Sequence, residues 1–175
     1  MVKPLERTLP PQFQETDSAS HGENKVGLVY ADIELISGDD LALHRRGHIN
    51  DTEIRRMTVN AMVDSGALML VINEEIKAQL GLQKVDTSSA QLADGSIIKV
   101  EVVGPVEVRF ANRRATVDAL VLPDDAEPLF GAIPMESMDV LIDPRQRRLV
   151  VNPDHPDQAQ HSLKLVSPLY GVNLN

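Results

Sequence analysis

Cysteine is absent from the 175 residues, which excludes disulfides, thiol nucleophiles and Cys-based zinc sites. Tryptophan is also absent and aromatics make up only 3% of the chain. The core must therefore be built from Val, Ile and Leu, and an aromatic stacking platform for single-stranded nucleic acid is not to be expected. Basic residues are in deficit: 17 Lys and Arg stand against 26 Asp and Glu, giving a formal charge of −9. Such a chain repels phosphate backbones, which argues against a nucleic-acid partner; the same charge also keeps a protein soluble. No apolar run approaches the ~20 residues needed to cross a bilayer. The first residues, Met1-Val2-Lys3-Pro4-Leu5-Glu6, lack the apolar core of a signal peptide. The expectation is a soluble cytoplasmic protein with no membrane partner.

What is present is one domain's worth of short, β-rich segments. Residues 1–24 are polar, contain several prolines and show no periodicity, and read as a flexible N-terminal arm. A domain over 25–153 follows, and residues 154–175 form a tail whose apolar stretch from Leu163 is a candidate dimer contact. Strands are expected at Val26–Ile36, Met57–Val63, Leu68–Ile72, Val102–Phe110, Ala115–Leu122 and Arg148–Asn152. Ser37-Gly38-Asp39-Asp40 reads as a turn, and the Arg-rich stretch to Arg56 as a hairpin tip or loop. Two short helices are expected. One is capped by Asn73, carries Glu74 and Glu75 in its first turn and stops at Gly81. The other begins near Pro134, places Met135, Met138 and Ile142 on one face, and ends at Pro144. Between them, Asp94-Gly95 separates two strand-like runs and signals a hairpin.

The chemically suggestive residue is Asp64. It follows one apolar strand and precedes Ser65, Gly66, Ala67 and a second apolar strand. These flanks predict burial, and an ionised carboxylate is costly to bury without a partner. Gly66 allows a tight backbone passage beside the carboxylate, and the Ser65 hydroxyl can tie that passage to a neighbour. Asp-Ser-Gly is also a common turn composition, so the tripeptide alone does not decide between turn and site.

The surrounding features do. Ala61-Met62-Val63-Asp64-Ser65-Gly66-Ala67, then Leu70-Val71-Ile72-Asn73-Glu74-Glu75 closing on Leu80-Gly81-Leu82, then Ala93-Asp94-Gly95-Ser96, then Leu129-Phe130-Gly131-Ala132-Ile133-Pro134 occur in that order. This set resembles the retropepsin-like aspartic peptidases, in particular their small bacterial members. The resemblance covers about Lys25 to Pro153. It implies a mainly β fold, the retropepsin-like closed β-barrel, with two short helices. It implies that Asp64 is the catalytic carboxylate, supported by Ser65, Gly66 and Ala67, and that Ala93, Asp94, Gly95 and Ser96 form a flap over a polypeptide substrate. Leu129, Phe130 and Gly131 would back the active-site loop.

Peptide hydrolysis by this route needs two carboxylates around one water. The sequence holds no second Asp-Ser/Thr-Gly, so the resemblance implies a homodimer in which each copy contributes one Asp64. Ala67 cannot donate a hydrogen bond to the carboxylate as a hydroxyl there could, which predicts an activity optimum nearer mild than strong acidity. No cofactor and no metal are expected: His44 and His48 lie four apart, but no acidic residue completes a ligand set. The rival reading is a dimeric peptide-binding or assembly module that keeps the fold with weak or no peptidase activity.

Overall fold

The computed structural model describes residues 27–92, 94–123 and 125–162. The expected N-terminal arm, the apolar end of the tail from Leu163, and Ala93 of the expected flap lie outside these residues. Chain order is β1 (Val29–Ser37), α1 (Gly38–Arg45), β2 (Arg56–Val63), β3 (Leu70–Asn73), α2 (Glu74–Leu80), β4 (Gln83–Gln91), β5 (Ile97–Phe110), β6 (Arg113–Leu122), β7 (Leu129–Phe130), α3 (Ala132–Met138), β8 (Val140–Asp143) and β9 (Arg148–Val151). The protein is mainly β, as the sequence predicts.

The strand pairings return to where they start. β1 pairs antiparallel with β2, β2 runs parallel to β7, and β7 meets β3 antiparallel. β3 then runs parallel to β6, β6 pairs antiparallel with β5, and β5 pairs antiparallel with β1. Six strands thus form a closed ring, which leaves no bare sheet edge among them. β4 stands outside the ring and pairs only with β5. β8 and β9 form a separate two-stranded sheet.

Period-two alternation supplies the ring's interior. Ala31, Ile33 and Leu35 of β1, Ala61 and Val63 of β2, and Val103, Val106 and Val108 of β5 all face a core that also holds Leu70, Ile72, Phe130 and Met138. Each of these larger side chains, the alanines aside, contributes roughly 1.5–3 kcal/mol on burial. α2 forms as its signals predict: the Asn73 side chain accepts from the Ile76 N–H at 3.0 Å, and Gly81 closes the helix with φ +60°. Ile76 and Leu80 are its buried face.

Three expectations are corrected. First, the segment after Ser37 is not a turn and open loop: α1 occupies it, followed by a 3-10 turn at Asp51–Glu53, making three helices rather than two. Ser37 caps α1, Asp39 and Asp40 sit at its start, and His44 and Arg45 at its end, as the helix dipole favours. Asp40 is buried and takes both Arg55 Nε and Nη2 at 2.7 Å, together with the Arg55 backbone N–H at 2.9 Å. The guanidinium holds the Asp40 carboxyl below its ordinary range. Second, the last helix runs over Ala132–Met138 and does not reach Ile142. Asp139 adopts φ +51° and ends it, after which Val140–Asp143 is strand β8. Third, the strand-like run after Asp94-Gly95 is not separate from Val102–Phe110: from Ile97 on, both belong to the fourteen-residue β5.

Candidate active site

β2 delivers Asp64 to the end of the ring, and the backbone fixes it there. The Asp64 N–H donates to Phe130 O at 3.1 Å, continuing the parallel β2–β7 pairing, and the Ala67 N–H returns to Asp64 O at 3.2 Å. The Gly66 N–H donates to Asp64 Oδ1 at 2.8 Å, which aims the carboxylate across the loop. A Cβ on Gly66 would stand 3.1 Å from that same oxygen, so the glycine suits the close passage.

β7 and the start of α3 clamp the loop from behind. Ala67 O accepts from the Ala132 N–H at 2.8 Å and Leu68 O from the Ile133 N–H at 2.9 Å. Gly131, between them, has no room for a side chain: a Cβ would lie 2.7 Å from Ala67 O and closer still to Met69 O. Leu129 and Phe130 form β7, Gly131 joins it to α3, and Phe130 is fully buried.

Asp64 itself is only partly buried, while Ser65 and Gly66 are exposed. This corrects the expectation of a buried carboxylate. The loop projects from the end of β2 and the apolar flanks turn back into the core without covering it. Among the described residues the Ser65 hydroxyl has no hydrogen-bond partner.

Asp64 lies where two grooves meet. One, of about 560 Å³, is lined by Asp64, Met69, Val71, Leu120, Leu122 and Leu129 from the ring and by Ser88 to Leu92 from β4 and its turn. The other, of about 450 Å³, is lined by Leu28, Met62, Asp64, Ser65, Ile142 and Pro144, among others. Among the described residues Asp64 is the one acid lining either groove. Of the aliphatic side chains beside the Asp94-Gly95 turn, Leu92 lines the first groove, whereas Ile97 (72% exposed) and Ile98 do not. The lining residues that the sequence reading missed, Leu120 and Leu122, are alternate positions of an ordinary strand. Only the parallel β3–β6 pairing brings them beside the loop.

The β4–β5 hairpin walls the first groove through Ser88 to Leu92, while Asp94, Gly95 and Ser96 at its turn line neither groove. Its turn is closed by Leu92 N–H to Ser96 O (2.8 Å) and Gly95 N–H to Leu92 O (2.9 Å), with Gly95 at φ +85°. Asp94 Oδ1 accepts from the Ser96 hydroxyl at 2.6 Å and from its N–H at 2.9 Å, and these bonds lower the Asp94 pKa. Asp94, Gly95 and Ser96 thus make a hydrogen-bonded tip. No group of three or more His, Asp or Glu that could hold a metal ion occurs among the described residues, and none of their helices is long and apolar enough to cross a membrane.

A family model described as aspartyl protease matches residues 46–142, more than half of the chain. The match includes Asp64, the β4–β5 hairpin and the Leu129–Gly131 element. A comparison with curated proteins gives no match.

Proposed function

Because the chain belongs to the aspartyl protease family, of retropepsin-like type, we propose that it hydrolyses peptide bonds as a homodimer, with Asp64 of each copy facing the other across a two-fold axis. The observation that carries this reading is the state of Asp64: a partly exposed carboxylate, oriented by one N–H, at the meeting point of two grooves lined by no other acid among the described residues. The reaction requires a second carboxylate, and a second copy is the symmetric way to supply it. Leu28 and Leu68 (66% exposed) flank the loop as large apolar side chains open to solvent, consistent with a surface that another copy covers.

In this reading one Asp64 takes a proton from the shared water as its oxygen attacks the scissile carbonyl carbon. The other, protonated, donates to the carbonyl oxygen. Collapse of the tetrahedral intermediate returns that proton, breaks the C–N bond and transfers a proton to the leaving nitrogen, yielding an acid and an amine. Ser65, exposed and unpartnered among the described residues, braces the loop by bonding across the axis. Ala67 adds no donor to the carboxylate, in keeping with a mildly acidic optimum. The substrate lies extended under the Asp94–Ser96 tip, which excludes water.

The test is cleavage of a mixed peptide library by wild type and Asp64→Asn, with sedimentation of both. Loss of cleavage in a variant that still sediments as a dimer is expected. A wild type with the mass of one chain at high concentration overturns the shared-site mechanism. Equal inactivity of both proteins overturns the peptidase and favours a binding module.

A further inference from the structure

The turn joining β8 to β9 carries Arg145, Arg147 and the strand's first residue, Arg148, all exposed. Most described arginines elsewhere are engaged: Arg55 with Asp40, Arg56 with Asp51, and Arg109 and Arg114 with Glu107. These three guanidiniums form no ion pair with a described residue. The nearest acid in the chain, Asp143, is committed to the turn itself, where its Oδ1 accepts from the Arg145 and Gln146 N–H groups at 3.0 and 3.1 Å. Arg147 is held at φ +50°, a conformation that glycine adopts freely and arginine does not. The other exposed arginine pair, Arg45 and Arg46, differs in having Asp39, Asp51 and Glu53 close by in the chain.

The tip begins at Pro144, which lines the same groove as Asp64 and Ser65. The turn thus places three exposed arginines next in the chain to a groove-lining residue, with Asp143 as the cross-strand neighbour of Arg148, on a chain of formal charge −9. An acidic polypeptide is repelled by the molecule as a whole and attracted at this turn, which favours its approach beside the groove that holds Asp64.

We propose that Arg145, Arg147 and Arg148 are a specificity element that engages carboxylates in the substrate polypeptide to one side of the bond presented to Asp64. This rests on the peptidase reading for its purpose, but the docking itself is measurable without turnover. Exposed pairs are individually weak, so three together amount to about tenfold in affinity at low salt, and screening removes most of it.

The experiment uses the full chain carrying Asp64→Asn and two fluorescent peptides with the same leucine-containing core, one flanked by glutamates and the other by glutamines. Anisotropy at low salt is expected to give about tenfold tighter binding of the glutamate peptide, with the preference lost near 0.5 M salt. The preference is also expected to vanish in Arg145→Gln/Arg147→Gln/Arg148→Gln, with the glutamine peptide bound equally by both proteins. Equal binding of the two peptides, or a preference that survives in the triple variant, overturns the proposal. So does a fall of the triple variant to single-chain mass in sedimentation, since the tip would then join two copies instead of holding substrate. If the glutamate preference is found but wild type cleaves neither peptide, the docking role stands and the peptidase reading fails.

Discussion

Asp64 and Asp139 both stand where a regular element ends, yet their surroundings are opposite. Asp139 is saturated: Asn152 Nδ2 donates to it at 2.8 Å, His155 Nδ1 lies at 2.7 Å and the Gln160 N–H at 3.0 Å. With Asn152 the largest influence, followed by the Gln160 N–H and His155, its pKa falls from 3.8 to about 2. These bonds tie the chain after β9 across the end of α3. Asp64 receives one N–H and otherwise faces open grooves. A carboxylate whose acceptor positions are filled holds structure together. One left with vacant lone pairs beside a groove is available to a water molecule and a substrate.

The sharpest way to break this comparison is to neutralise each acid in turn. Asp64→Asn is expected to reduce peptide cleavage by at least about a thousandfold while leaving the unfolding midpoint nearly unchanged, as turnover and calorimetry on one preparation will show. Gly131→Ala attacks the backing of the Asp64 loop instead. With carbonyl oxygens of Ala67 and Met69 in the way, it should destabilise the fold by about 2–3 kcal/mol in urea titrations and lower cleavage with it. Asp139→Asn should do the reverse of Asp64→Asn, lowering the unfolding midpoint by a few degrees with cleavage little changed below that temperature. Its effect has a defined pH window. Because the folded-state pKa is depressed from 3.8 to about 2, the stabilisation is present above pH 3.8 and disappears as pH falls through about 2. Stability curves of wild type and Asp139→Asn should therefore converge across that interval. The smallest effect is expected from Ser96→Ala, which removes one of the two bonds that fix Asp94 at the hairpin tip. A drop of about two- to fivefold in kcat/KM, with stability unchanged, would place the tip's hydrogen bonding in the same service as Asp64.

Local signals were the legible part. Asn73 and Gly81 mark α2 by their own chemistry, Asp94-Gly95 marks a turn, and alternating Val and Ile mark the strands of the ring. The Asp64 loop and Leu129-Phe130-Gly131 could be matched because a buried backing element and an acidic loop recur in a set order. What escaped was tertiary. α1 is a polar stretch whose anchor, Arg55, lies fifteen residues from Asp40. The spacing of Met135, Met138 and Ile142 fits a helix, but the left-handed Asp139 converts its last part into β8. Ile97 has the composition of a cleft residue and points to solvent, whereas Leu120 and Leu122 reach the groove through a strand pairing that sequence spacing does not reveal.

The closed ring of six strands, with β4 hung outside it, divides β5 into two unlike halves. From Val106 onward β5 is a stave of the ring, paired with β1 and β6; its first residues, Ile97 to Val100, pair only with β4. The hairpin walling the groove is thus an appendage of one stave, attached after the wheel is already complete. Its length and side chains can be exchanged without touching the pairings that close the ring. If the peptidase reading holds, selectivity can accordingly be sought in residues 89–99, which pair only with one another, while the part that holds Asp64 is left alone.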